Sequence, residues 1–175
     1  MLQTKNPSVI ALSTASAASV TGLAFISPII LLIKNHYNVS SNEVQLTITI
    51  YLVAICISQI FWGPLSDLIG RRIVLIIGAS LFSLGGILAS LNLAFEVFVF
   101  FRFVQGIGAA ACLSMPRVML TESFGVKKAA AKMSTLLAFM AIFPILSAAF
   151  GGYIGENYGW QTNFFTLFIF GVIVF

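Results

Sequence analysis

The sequence predicts an all-α membrane protein, and three observations carry that expectation. Hydrophobic residues make up 59% of the chain and charged residues only 8%, with a mean hydropathy of +1.06. Such a composition leaves too little polar material to cover a water-soluble globule. Long uncharged stretches recur, and between two of them runs Gly63-Pro64-Leu65-Ser66-Asp67-Leu68-Ile69-Gly70-Arg71-Arg72, a turn too polar to lie in lipid. Its flanks, 44–66 and 73–95, hold no charged residue. Each is therefore long enough to cross a hydrocarbon layer of roughly 30 Å, which takes about 20 apolar residues in a helix. The turn belongs at one membrane face.

Six hydrophobic segments define one six-helix unit over 1–175, at about 9–33, 44–65, 73–93, 97–120, 133–154 and 162–175. All are read as helices, because an isolated strand leaves its backbone polar groups unsatisfied in lipid. The first follows Lys5 and includes Ala15-Ser16-Ala17, which has the small residues of a signal cleavage site. A signal core, however, is only about 7–15 apolar residues long, so this segment reads as a retained first helix. The polar connector 35–43 holds Asn38, Ser40 and Ser41, residues that open turns and cap helices. A tight link at 92–96 leads into the fourth segment, a basic connector at 121–132 into the fifth, and a glycine-containing one at 155–161 into the sixth. The sixth, at 14 residues, gives a helix of about 21 Å, short of the hydrocarbon thickness. It reads as a truncated span.

Lys5, the pair Arg71 and Arg72, and the trio Lys127, Lys128 and Lys132 occupy alternate connectors, while the intervening ones hold only Lys34 among basic residues. Cytoplasmic loops retain such charges in excess, so the N-terminus is expected inside. Tyr37, Tyr158 and Trp160 then fall near outer helix ends, where amphipathic aromatics anchor. The net charge of +4 is spread over these short clusters rather than one soluble face, which argues against nucleic acid as a partner. Cys56 and Cys112 lie within apolar segments with no CxxC spacing and read as packing residues. His36 has no companions spaced as metal ligands, so neither a metal nor a cofactor is expected. No nucleophile, base and carboxylate set indicates an enzyme.

Arg102 lies inside an otherwise apolar stretch. An arginine near the bilayer centre costs about 2.5–3.5 kcal/mol on insertion scales, so such residues face a bundle interior or an aqueous cavity. The alternative is a side chain that snorkels to the nearby outer interface. Gly106 shares a helical face with Arg102, so a small residue can sit close-packed beneath the guanidinium. In the turn, Gly63 permits close approach of another helix, Gly70 can take a positive φ, and Asp67 can pair with an arginine of the same turn.

These motifs resemble the major facilitator superfamily. Gly63-x-Leu65-x-Asp67-x-x-Gly70-Arg71-Arg72 is similar to the family's signature between its second and third helices, a conformational latch, with Leu68 where a basic residue is usual. Arg102-Phe103-Val104-Gln105-Gly106 resembles the fourth-helix motif, whose arginine is linked to proton transfer or substrate handling, with Gln105 as a possible partner. Pro144-Ile145-Leu146-Ser147-Ala148-Ala149-Phe150-Gly151-Gly152 resembles the fifth-helix motif of drug/proton antiporters, in which Pro144, Gly151 and Gly152 allow bending and close packing. The stretches from Arg117 to Glu122, Ala129 to Ser134 and Gly159 to Phe165 resemble the branch of bicyclomycin- and chloramphenicol-resistance-type exporters, with Thr121 and Gln161 at positions often basic there.

The resemblance implies the N-terminal half of a twelve-helix carrier with its cavity at mid-membrane. It also implies proton-driven export of small drug-like molecules from a bacterial inner membrane, with a missing C-terminal half as partner. Ser13, Thr14, Ser16, Thr21, Arg102, Met115, Phe139 and Met140 are expected to line the cavity. Proton coupling needs a titratable group in that cavity, commonly a carboxylate, yet no Asp or Glu falls in a helix core. An importer of a sugar or other metabolite, or a non-transporting remnant, are the alternatives.

Overall fold

A computed structural model describes residues 7–173, and the regular elements among them are all helical. They are α1 (Val9–Ala24), α2 (Ile30–Tyr37), α3 (Ser41–Ile69), α4 (Arg71–Ser90), α5 (Phe95–Tyr158) and α6 (Trp160–Ile173). Lys5, used in the orientation argument, and the end of the sixth segment lie outside the described residues.

The first apolar segment is not one helix. Ser8 caps α1 by accepting the Ala11 N–H, and the helix stops at Ala24. The chain turns through residues 25–29, which include Pro28, a residue without a backbone N–H. It resumes as α2, which closes on Asn38 in the left-handed region at φ 52°. A reciprocal capping box starts α3: Ser40 accepts the Glu43 N–H, and the Glu43 carboxylate accepts the Ser40 N–H. The 29 residues of α3 run about 43 Å at the helical rise.

The charged turn is almost entirely helical. Residues through Ile69 belong to α3 and Arg71 opens α4, so Gly70 alone lies between them, at φ +97° with its N–H on the Ser66 carbonyl. The basic connector at 121–132 is reduced in the same way. Only Gly125 leaves the helical region, at φ 71° and ψ 157°. Arg117 and Met140 are 23 residues apart yet in contact at 3.4 Å, whereas a straight helix would separate them by about 35 Å. The two arms of α5, 95–124 and 126–158, therefore fold back on each other. The helices overrun the apolar segments because polar residues at their ends continue the same hydrogen-bond ladder beyond the hydrocarbon.

α3, α4 and α5 are each long and apolar enough to cross a membrane. Arg71 reaches Glu122, which puts Gly70 and Gly125 at one end of the bundle. The far end holds Asn38, Asn92 and Gly159: His36 Nε2 lies 2.5 Å from Asn92 Oδ1 and its ring 5.3 Å from that of Trp160. In lipid the helices gain little from apolar burial against one another, so small residues set the contacts. Gly78 and Gly108 bring α4 backbone against α5, and Gly151 and Gly155 seat Phe25 and Ile29 of the turn after α1. Ile60, Phe61, Ile145 and Phe150 face outward.

Two aromatic anchors point inward instead. Trp160 is buried against Tyr37, Phe98 and Phe164, and Tyr37 also packs on Phe95, while Tyr158 stays exposed. Mutual ring contacts hold Trp160 and Tyr37 at the far end of the bundle. Cys112 is buried, whereas Cys56 faces out from α3.

Candidate functional site

Arg102 sits about two turns into α5 and is completely buried. Five helical stretches converge on it. Its Nη1 donates to Gln105 Oε1 at 2.5 Å, one turn further along the helix. The Tyr51 ring of α3 covers the guanidinium at 4.3 Å from its carbon to the ring centroid, and Phe164 of α6 lies at 5.7 Å. The Tyr51 hydroxyl donates to the Ser19 carbonyl of α1 at 2.6 Å. From α4, Gly85 and Gly86 press against the Gln105 backbone and side chain.

Glycines fix this geometry. A Cβ on Gly106 would stand 2.6 Å from the Tyr51 carbonyl oxygen and 2.7 Å from Ala54, so only glycine lets α3 come near enough for the ring to cover Arg102. A Cβ on Gly22 would stand 2.6 Å from the Tyr51 hydroxyl, blocking its reach to Ser19. The guanidinium is thus held by an aromatic face, one carboxamide and tight packing. No carboxylate joins them: Glu43, Asp67, Glu96, Glu122 and Glu156, the five acidic residues of the chain, are all exposed. A cation over a desolvated ring gains about 2 kcal/mol, which offsets part of the cost of burying it.

The charged turn is organised in the opposite way. Arg71 is half-buried and draws two carboxylates, Asp67 at 2.5 Å and Glu122 at 3.1 Å. It also bonds Ser66 Oγ and approaches the Gly63 carbonyl at 3.5 Å. Asp67 precedes Arg71 by one helical turn, while Glu122 comes from the end of the first arm of α5. Arg72 points outward, and no atom stands within 4 Å of the position a Cβ on Gly63 would take. The close helix approach that Gly63 permits is not made by residues 7–173.

In the second arm of α5, Pro144 interrupts nothing visible: the helix continues, with Ser147 Oγ donating to the Phe143 carbonyl. Gly151 meets Phe25, Gly152 meets Pro28 at the range of ordinary contact, and Asn163 Nδ2 donates to the Gly151 carbonyl at 2.9 Å. These glycines receive the break between α1 and α2.

Burial divides the residues expected to line the cavity. Ser13, Ser16, Thr21, Arg102 and Met115 are closed inside the bundle, and only Thr14, Phe139 and Met140 keep partial exposure. The small residues of α1 let it sink against α5, and Ser13 turns its hydroxyl back to the Val9 carbonyl. Tyr51 and Phe164 escaped the sequence reading. A tyrosine in the middle of an apolar span was the available signal, since a hydroxyl at that depth needs a partner.

The described helices form a bundle that closes small residues around a buried arginine, with a salt-bridged turn at one end. Comparison with known proteins gives its family. Residues 12–175 match the family model described as Major Facilitator Superfamily, and the chain belongs to that superfamily. It is 31% identical over 137 residues to the multidrug resistance protein MdtL of Escherichia coli O81 (strain ED1a), covering 78% of this chain and 35% of that protein. MdtL of Shewanella sp. (strain ANA-3) is 27% identical over 143 residues, 82% of this chain and 36% of its own length. The chain thus spans about a third of the curated relatives it matches. Among solved structures, the proton:xylose symporter XylE bound to 6-bromo-6-deoxy-D-glucose superposes with a TM-score of 0.86 at 16% identity, over 95% of this chain and 42% of that one. That likeness speaks for the fold. The protein is an integral membrane protein of a transporter family.

Proposed function

We propose that this chain supplies the N-terminal half of a proton-coupled exporter of small amphipathic molecules in a bacterial inner membrane, with its N-terminus in the cytoplasm. Similarity to multidrug resistance proteins over 78% of the chain is the observation that carries this reading. The proposed work divides among three places. Arg102, Gln105 and Gly106 handle the proton or the substrate at depth. Gly63, Asp67, Gly70, Arg71 and Arg72 form a latch that engages a partner half at the open Gly63 face. Pro144, Gly151 and Gly152 let the second arm of α5 move against the turn after α1.

With every acidic residue exposed, this half offers no buried carboxylate for proton coupling, so coupling falls to the partner half. Alone, the chain is expected not to transport. The test joins residues 1–175 to the second half of an MdtL relative in a pump-deficient host and follows dye efflux driven by a pH gradient. The joined carrier should export saturably, and the chain alone should not. Sugar uptake in place of dye export by the joined carrier would favour the metabolite importer, and export by the chain alone would overturn the two-half reading.

A further inference from the structure

Three nitrogens at the centre of the bundle are buried without an acceptor: Arg102 Nε, Arg102 Nη2 and Gln105 Nε2. Their arrangement is informative. The face of the guanidinium is covered by Tyr51 and its Nη1 corner is taken by Gln105 Oε1. What remains is the edge carrying Nε–H and Nη2–H, two parallel donors that match the two oxygens of a carboxylate. Two oxygens beside it are already engaged, the Ser19 carbonyl by the Tyr51 hydroxyl and Gln105 Oε1 by Arg102. No acidic side chain of this chain lies inside the bundle. What the chain itself does not supply at this edge is negative charge, which a water molecule would not supply either.

We propose that the Nε/Nη2 edge of Arg102, with Gln105 Nε2 beside it, binds the carboxylate of a small organic acid. This deepens the transporter reading, on which it rests only for how the acid arrives. The bound acid lies in the guanidinium plane, and its two oxygens accept from Nε and Nη2. Tyr51 holds that plane in place through its bond to Ser19, so α1 and α3 both sense whether the edge is occupied. A site of this kind favours acids over the lipophilic cations that a buried carboxylate would select.

The test uses equilibrium protection and needs no transport. The full chain, carrying Cys56→Ser, is placed in membrane vesicles, and the labelling rate of buried Cys112 by a membrane-permeant maleimide reports opening of the bundle. Sodium acetate should slow labelling saturably, by about threefold or more through mass action on the closed state. Chloride at equal ionic strength should do less, and uncharged acetamide nothing. Arg102→Gln should abolish the acetate effect. Arg102→Lys keeps the charge but loses the fork, and should raise the half-saturating acetate about tenfold; it decides the matter if the Gln variant no longer packs. Absence of acetate protection in the Cys56→Ser chain, equal protection by acetate and acetamide, or unchanged acetate protection in Arg102→Lys would each overturn the proposal. Because no step of the measurement involves export, these outcomes are independent of whether the joined carrier pumps dye.

Discussion

Arg71 and Arg102 are the same side chain under two opposite arrangements. At one end of the bundle, Arg71 is half-buried and holds two carboxylates, both themselves more than half exposed to solvent. Near the other end, Arg102 is fully buried and meets an aromatic face, a carboxamide and glycine-lined backbone. Water screens the first group, so its ion pairs are individually weak and easily exchanged. Nothing screens the second, so its environment was built by packing. The difference separates a contact fit for making and breaking during a conformational cycle from one fit for holding a charge in place.

The comparison is broken most directly at Tyr51. Replacing it with leucine removes both the ring over Arg102 and the bond to Ser19. The loss should be about 3 kcal/mol, from a desolvated cation–π contact and a buried hydrogen bond together. Tyr51→Phe keeps the ring and should lose only about 1 kcal/mol. Reversible unfolding of the chain in mixed micelles, followed by tryptophan fluorescence, measures both. Equal losses in the two variants would show that the ring face does not hold the guanidinium.

Gly106→Ala attacks the same region through the backbone. The added methyl would meet the Tyr51 carbonyl oxygen at 2.6 Å, and a rigid neighbour of that kind makes overpacking cost about 1–3 kcal/mol. The same unfolding measurement should register that loss, and a neutral result would mean α3 is free to retreat.

The smallest effect belongs to the charged turn. Glu122→Gln leaves Arg71 its pairing with Asp67, and for so exposed a pair the expected loss is about 0–1 kcal/mol, fading further in molar salt. A loss that exceeded the Tyr51→Phe value and survived salt would make the charged turn a structural centre and erase the contrast between the two arginines.

The charged turn was legible because its chemistry is local. Asp67 and Arg71 are one helical turn apart, and a glycine that must take a positive φ stands between the helices at Gly70. The six-segment pattern was legible for the same reason, since a span declares itself in consecutive residues. Arg102 itself stood out against its apolar neighbours, but its surroundings did not. Tyr51, Ser19, Gly85 and Phe164 come from four other helices, and sequence periodicity carries no information about which helix faces which. The same blindness explains the lining residues placed in an open cavity that lie instead within the bundle. Small hydroxyl residues on α1 read as polar, while their use here is to let helices approach and to bond their own backbone. The break after Ala24 was likewise hidden, because Pro28 in an apolar run fits a kinked helix as well as an interrupted one.

Everything above depends on the two arginines lying toward opposite ends of one membrane-crossing bundle, and topology is the direct test. Single cysteines are introduced at Asn38, which precedes α3, and at Val126, which follows the fold of α5, in a background carrying Cys56→Ser and Cys112→Ala. Both positions are exposed. An impermeant thiol reagent added to intact cells should label the cysteine at 38 and reach the one at 126 only after the membrane is opened. Labelling of both from the same side would contradict the arrangement, whereas labelling of 126 alone from outside would keep the opposite ends and invert the orientation.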